Sequence, residues 1–311
     1  MSTHETRHEL SSSYDCPLNE GVRSIQRVVP RGAEVGGGLS VNRLLPSQHR
    51  RMVGAWCFLD HAGPATFKTG GGLRVGPHPH IGLQTFTWMI EGEVLHRDSL
   101  GNTQTIRPGQ VNLMTAGYGI SHTEESLPGQ QHLHAVQLWI ALPAAVCECA
   151  PQFIHYPDLP HWLSDGFNFT LLAGRFGQYE APTDVYSSII GLDIAVNQAG
   201  ATKLNLDPTF EYGVLPLGGE WRINGETFAA NELAYLGRGL ESLALEASND
   251  ARAIVLGGEP FAEEIFLWWN FVGHSKEQIA QAHRAWLEHS DRFGEVLGFD
   301  GARLTAPVLP W

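Results

Sequence analysis

Two pairs of potential metal ligands stand out in the first half of the chain. His78 and His80 lie one residue apart, and about 40 residues later His122 and Glu124 have the same spacing. Side chains two residues apart in a β-strand project from the same face of the strand. Two neighbouring strands would therefore present three imidazoles and one carboxylate to a single point.

This donor set suits a first-row divalent metal. Imidazole and carboxylate ligands bind iron, manganese, nickel, copper or zinc, whereas calcium and magnesium prefer oxygen donors throughout. The absence of a thiolate argues against a structural zinc site. An octahedral ion with four protein ligands keeps two positions for water, oxygen or substrate, so the pattern predicts a catalytic centre.

Other histidines compete less well for this role. His132 and His134 form a further pair, but no carboxylate follows them, so we interpret them as strand or pocket-rim residues. His61 is a candidate for the pocket mouth, and His96 is expected to face solvent or to hydrogen bond locally. These four histidines are thus weaker candidates than the spaced pairs.

The second half of the chain cannot repeat the cage. No histidine occurs between His161 and His274. We therefore expect one divalent metal per chain, with the second half left to support the fold, shape the pocket or contact partners.

The surrounding sequence indicates which elements position these side chains. Short apolar or alternating runs are separated by clusters of glycine and proline, of which the chain has 35 and 18. This rhythm is typical of antiparallel all-β proteins. The clearest predicted strands cover residues 84–90, 110–114, 135–142, 170–172, 187–196, 221–223 and 251–256.

The chain of 311 residues is long enough for two barrels. The segment 217–225 resembles the strand, turn and strand that follow Gly92, which favours two related units. We predict an N-terminal metal-binding barrel at 22–150, a linker at 151–166 and a C-terminal barrel without metal ligands at 167–274. Residues 1–21 are expected to form a flexible extension.

A helix is predicted near the end of the chain. Ser275 and Gln278 have the spacing of a capping box. Ile279, Ala282 and Trp286 then recur at three and four residues, which gives one apolar stripe to bury. With Gly294 as its stop, the predicted helix covers 275–294, packs on a barrel and is followed by a tail at 295–311.

The charge and hydropathy of the chain restrict its location and partners. A formal net charge of −13 argues against direct binding to nucleic acid or to anionic lipid. Residues 1–21 lack the apolar core of a signal peptide, and no later stretch reaches about 18 uninterrupted apolar residues. We therefore expect a cytoplasmic protein that does not enter a membrane.

The histidine segments resemble the two sequence motifs of the cupin superfamily. Gly72, five residues, His78, one residue and His80 resemble the first motif, while Gly119, two residues and His122 resemble the core of the second. The resemblance extends over roughly residues 22–258 and implies a bicupin, in which two jelly-roll β-barrels are joined in one chain.

The position of the carboxylate is similar to that in the pirin family, and in bacterial pirins in particular. Gln84 stands where a cupin usually has its acidic ligand, and Glu124 supplies the carboxylate instead. The resemblance implies an iron-type centre, most simply Fe(II), at His78, His80, His122 and Glu124, with Mn, Ni, Cu or Zn as alternatives. It also implies a C-terminal barrel without a metal.

The resemblance implies two different functions. In the first, the protein resembles quercetin 2,3-dioxygenases, which cleave flavonol-like phenols with O2; Glu124 would then be catalytic and accept the proton of the substrate hydroxyl. In the second, it is a non-enzymatic, iron-dependent and redox-sensitive regulator that binds a transcription factor or metabolic enzyme. We favour the enzyme. Phe86 and Trp88 would then either form walls of the substrate pocket or belong to the apolar core. A sugar- or small-acid-binding cupin is a third reading.

Overall fold

The computed structural model describes residues 9–11, 25–68 and 71–311. The strands of the first half are β1 Glu9–Ser11, β2 Gln26–Val28, β3 Arg31–Val35, β4 Leu39–Leu45, β5 Trp56–Thr66, β6 Arg74–His80, β7 Leu83–Glu91, β8 Val94–Asp98, β9 Thr103–Ile106, β10 Val111–Thr115, β11 Ile120–Ser126, β12 His132–Ala141 and β13 Gln152–Tyr156.

The elements of the second half are again almost all strands. They are β14 His161–Ser164, β15 Phe167–Ala173, β16 Arg175–Phe176, β17 Tyr179–Glu180, β18 Ile189–Val196, β19 Gly200–Asn205, β20 Glu211–Gly218, β21 Trp221–Ile223, β22 Glu226–Phe228, β23 Leu233–Gly237, β24 Ser242–Ala247, β25 Arg252–Gly258, β26 Ile265–Trp268, β27 Phe271–Gly273 and the helix α1 Lys276–Leu287.

Each half builds the same pair of antiparallel sheets. In the first half, a seven-stranded sheet has the order β13-β10-β7-β12-β5-β4-β3 and a four-stranded sheet the order β6-β11-β8-β9. In the second half, the corresponding orders are β14-β15-β18-β25-β20-β23-β2 and β19-β24-β21-β22. The predicted fold class, all-β with two cupin barrels and a C-terminal helix, is confirmed.

One edge strand of the second barrel comes from the first half of the chain. β2, near the start of the chain, pairs with β23 of the second barrel, whereas β13 pairs with β10 of the first. The segment 151–166, predicted as a linker, thus contains β13 and β14. Within the predicted extension 1–21, β1 pairs with β26, and the other residues of that segment lie outside the described ranges.

The main apolar core lies where the two seven-stranded sheets face each other. Trp56 of β5 reaches across this core, and its indole N–H donates to the carbonyls of Ile190 and Gly257, both at 3.2 Å. Phe86 packs edge-on against Trp56, and Trp88 belongs to the same cluster. Phe86 and Trp88 are therefore core side chains, as one of the two interpretations of the sequence predicted.

The helix begins as predicted. The Ser275 hydroxyl accepts a hydrogen bond from the Gln278 amide at 3.2 Å, and the Gln278 side chain accepts one from the His274 amide at 2.7 Å. The predicted stripe of Ile279, Ala282 and Trp286 is buried against the segment around β26 and β27. No helix among the described residues has the length and apolar character needed to cross a membrane.

The predicted end of the helix is wrong. The helix ends at Leu287, seven residues before Gly294. His289 adopts a left-handed conformation with φ of 55°, its amide donates to the Trp286 carbonyl, and the following amide donates to a carbonyl five residues back. This is a Schellman-type ending formed without glycine, which is why a search for a glycine stop placed it too late.

Candidate metal centre

Three of the four predicted ligands converge inside the first barrel. β6 and β11 are neighbours, and His122 lies directly opposite His78 in their register. The potential ligand atoms of His78, His80 and His122 all lie within 4.8 Å of one another. The Nε2 atoms of His80 and His122 are 3.1 Å apart, and the three side chains are at most 1% exposed.

The position of β6 in its sheet explains its unusual sequence. Pro77 and Pro79 alternate with the two histidines, and proline has no amide proton for a sheet hydrogen bond. β6 is an edge strand that pairs on one side with β11. An edge strand tolerates proline because one side of its backbone has no partner strand, so the histidines can point inward from a strand that proline stiffens.

Backbone carbonyls orient two of the imidazoles. Nδ1 of His78 lies 2.9 Å from the Gly76 carbonyl, and Nδ1 of His80 lies 3.0 Å from the Asn270 carbonyl. A carbonyl only accepts, so each Nδ1 carries the proton and each Nε2 has a free lone pair. The buried Nε2 of His78 makes no hydrogen bond with the described residues, which a bound cation would explain.

Burial also keeps these imidazoles neutral. Desolvation lowers the pKa of His78 to about 3 and brings the pKa values of His80 and His122 well below the usual value, with mutual repulsion adding to the effect. A metal ligand must be the neutral imidazole. The three residues therefore fit a divalent cation at neutral pH without first losing a proton.

Glu124 is buried near this cluster, at 5% exposure, but is not part of the set within 4.8 Å. The register between β6 and β11 shifts after His122, so that Glu124 lies opposite Val75. Burial raises the pKa of the Glu124 carboxyl, but nearby positive charge lowers it by more, so the pKa lies below its usual value. The role of Glu124 as a ligand stays a prediction.

The expectation that His96 faces solvent is wrong, whereas its local hydrogen bond is present. The imidazole is 4% exposed and stacks on Phe153 at 4.2 Å. Its Nε2 lies 3.1 Å from Oδ2 of Asp98, and its Nδ1 lies 3.3 Å from Nδ1 of His122. The alternation of Val94, His96 and Asp98 along β8 was the available signal for an inward-facing side chain.

Two further contacts with His80 were invisible in the sequence. The Asn270 carbonyl comes from the turn between β26 and β27, which lies 190 residues along the chain from His80. The ring of Trp139 stands edge-on to His80 at 5.2 Å and stacks on Phe58 at 4.0 Å. The segment after the second barrel thus orients a ligand candidate of the first barrel.

The competing histidines lie elsewhere. Nε2 of His61 is 2.8 Å from Nε2 of His134, and its Nδ1 is 2.5 Å from Oδ1 of Asn231 in the second half. This buried pair therefore faces the other barrel. His132 is exposed and lies near Thr66.

Gln84 stands at the position of the usual cupin acidic ligand, but its side-chain hydrogen bonds are made to residues outside the histidine cluster. Its side-chain amide donates to the Thr115 hydroxyl and to the Asp184 carbonyl, both at 2.9 Å. Asp184 lies between β17 and β18 of the second half. Gln84 therefore contributes to the contact between the halves.

The sequence matches known proteins along its whole length. Residues 38–140 match the family described as Pirin, and residues 191–294 match the family described as Pirin C-terminal cupin domain. A protein of Pseudomonas aeruginosa, named provisionally as a quercetin 2,3-dioxygenase, is 60% identical over 100% of this chain and 98% of its own. A pirin-like protein of Caulobacter vibrioides is 36% identical over 80% and 88%.

Solved structures agree with the fold. A crystal structure of quercetin 2,3-dioxygenase from Acinetobacter baumannii superposes with a TM-score of 0.90 at 50% identity, covering 92% of this chain and 96% of that one. A bacterial pirin from Escherichia coli in complex with nickel(II) gives a TM-score of 0.61 at 19% identity, covering 76% and 100%. At that identity the second likeness supports the fold alone.

Proposed function

The chain belongs to the pirin family, and from that premise we propose that it is a metal-dependent dioxygenase that cleaves flavonol-like phenols with O2. The observation that carries the proposal is the convergence of three buried, neutral imidazoles. His78, His80, His122 and Glu124 would hold one divalent metal, with Fe(II) first and Mn, Ni, Cu or Zn as alternatives. The names of the relatives at 60% and 50% identity support the substrate class.

The residues of the chain have distinct tasks in this proposal. A bound divalent metal supplies Lewis acidity to a substrate hydroxyl and an open position for oxygen. Glu124 accepts the hydroxyl proton, and its lowered pKa keeps it in the carboxylate form that a base requires at neutral pH. The three imidazoles keep their Nε2 lone pairs directed at one point. The proton thus moves from the substrate oxygen to a carboxylate oxygen of Glu124.

The apolar surroundings exclude water from this point. Trp139 and Phe58 are fully buried and stack on each other beside His80. A dry site strengthens the interaction between the carboxylate and the substrate proton and keeps reactive oxygen chemistry away from bulk water.

The test is oxygen uptake with quercetin by protein that has been reconstituted anaerobically with ferrous iron. We expect turnover in the wild type and a loss of about 100-fold or more in His78→Ala and Glu124→Ala, because each removes a proposed ligand or the base. His132→Ala is the matched control, since His132 is exposed and outside the cluster. Bound iron is measured in every variant, which separates loss of metal from loss of proton transfer.

A fully metallated wild type that turns over neither quercetin nor related phenols would contradict the proposal. The regulatory alternative would then be tested through affinity for a protein partner. It requires affinities that differ between the ferrous, ferric and metal-free forms.

A further inference from the structure

A chain of polar side chains runs outward from the metal centre along β8. It consists of His122, His96 and Asp98, all of them at most 4% exposed. His122 shares its Nδ1 contact with His96, and His96 shares its Nε2 contact with Asp98. The Nδ1 atoms of His78 and His80 instead contact backbone carbonyls, so among the three imidazoles only His122 has its Nδ1 beside another imidazole.

The carboxyl group of Asp98, at the far end of this chain of contacts, accepts hydrogen bonds. Oδ1 of Asp98 accepts hydrogen bonds from the amides of Leu100 at 2.9 Å and Asn102 at 3.0 Å. The Asn102 side chain donates to both oxygens. Both oxygens of Asp98 therefore face hydrogen-bond donors and act as acceptors. Nε2 of His96 must therefore carry the proton that lies between them.

The proton on His96 determines the proton on His122. When Nε2 carries the single N–H of the His96 ring, Nδ1 has only a lone pair. The Nδ1 of His122, 3.3 Å away, must then be the donor. His122 consequently keeps a lone pair at Nε2, the atom that lies 3.1 Å from Nε2 of His80.

We propose that Asp98 acts through His96 as a positioning residue that selects the metal-binding tautomer of His122. The inference rests on the metal site of the proposed function and adds an assignment for two residues outside the proposed ligand set. A carbonyl performs the same task for His78 and His80 directly. At His122 the task is performed across two hydrogen bonds.

Asp98→Asn is a nearly isosteric test of this assignment. The two amides that bind Oδ1 retain the amide oxygen there, which places the side-chain NH2 towards His96. His96 must then accept at Nε2 and donate from Nδ1, so His122 accepts at Nδ1 and turns a proton towards the metal. Asp98→Asn therefore imposes on His122 the tautomer that cannot bind the metal. His96→Phe instead leaves the tautomer of His122 unspecified, and it keeps the stack on Phe153.

The measurement is the dissociation constant for Co(II), with its visible spectrum as a check on the ligand set. We expect Asp98→Asn to weaken binding by about 10- to 100-fold, the range typical of groups that orient a ligand. His96→Phe should weaken it less, although His96 is nearer the metal. The double variant should bind like His96→Phe alone, because Asp98 acts only through His96. His132→Ala, at an exposed histidine outside this chain of contacts, is the control and should bind like wild type.

Wild-type affinity in Asp98→Asn, an additive loss in the double variant, or an equal loss in His132→Ala would overturn the inference. If Asp98→Asn does not fold, as judged by its near-ultraviolet circular dichroism without metal, His96→Phe decides: weaker binding by a folded variant supports the inference and unchanged binding overturns it. A wild type that binds no metal would instead contradict the proposed function.

Discussion

The two barrels have the same arrangement of sheets, but the interior of the first is polar and that of the second is apolar. In the first, Glu124 of β11 lies opposite His96 of β8; in the second, Leu245 of β24 lies opposite Ile223 of β21. Leu245 belongs to an apolar cluster inside the second barrel. The same strand order thus surrounds a polar centre in one half and a hydrocarbon core in the other, so the chemistry depends on a few inward side chains.

The polar character of the first barrel extends beyond the proposed metal ligands. Asp60 is two residues from Phe58 on β5 and therefore points to the same side as the ring that stacks on Trp139. Its carboxylate forms an ion pair of 2.7 Å with Arg43, and both side chains are almost fully buried. A buried ion pair is weak evidence for stability because its desolvation cost is large. The first barrel therefore holds polar groups that contribute little stability as a pair.

The largest expected effect is a loss of metal binding, the property that distinguishes the interior of the first barrel from that of the second. His122→Ala should weaken binding of a divalent metal by about 100-fold or more, since it removes a proposed ligand and not merely an orienting group. The measurement is metal content after dialysis against a competing chelator. His132→Ala should bind like wild type, and full retention of metal by His122→Ala would end the distinction between the barrels.

Breaking the buried ion pair should have the largest effect on stability. Asp60→Ala leaves the Arg43 charge buried without this carboxylate and should lower the free energy of unfolding by about 3 to 5 kcal/mol. The double variant Arg43→Met with Asp60→Leu should recover most of that loss, because it removes both charges. Urea unfolding of the metal-free proteins measures both, and a double variant as unstable as the single one would count against this account.

The second barrel should respond to truncation in the opposite way. Leu245→Ala removes a fully buried side chain from its apolar cluster and should cost about 2 to 5 kcal/mol of unfolding free energy. Its metal affinity should stay within about twofold of wild type, since no ligand candidate lies in that cluster. A large loss of metal affinity in this folded variant would show that the two interiors are coupled.

The smallest effect concerns the contact between the barrels. Burial, with repulsion from His61, lowers the pKa of His134 from 6.5 to about 3 in the folded protein. The unfolded chain therefore binds more protons between these pH values, and stability is lost as the pH falls from 6.5 towards 3, by at most about 1.4 kcal/mol per unit. His134→Gln should lack this part of the slope. Urea midpoints of the metal-free proteins at pH 7, 6, 5 and 4 test it, and parallel slopes would contradict it.

Local patterns predicted much of the fold because they depend on neighbouring residues. The strands predicted at 84–90 and 251–256 lie within one or two residues of β7 and β25. The start of the helix followed from the side chains of Ser275 and Gln278. Its end did not, because His289 adopts a backbone conformation that usually indicates glycine.

The sequence by itself determined the donor types, their spacing and the halves in which they occur. A period of two residues suffices to place His78 and His80 on one face of a strand. Tertiary structure alone decided that Asn270 orients His80, that His96 contacts His122 and that a register shift follows His122. These features depend on pairings between segments far apart in sequence, which are selected by packing of the whole molecule and have no local pattern.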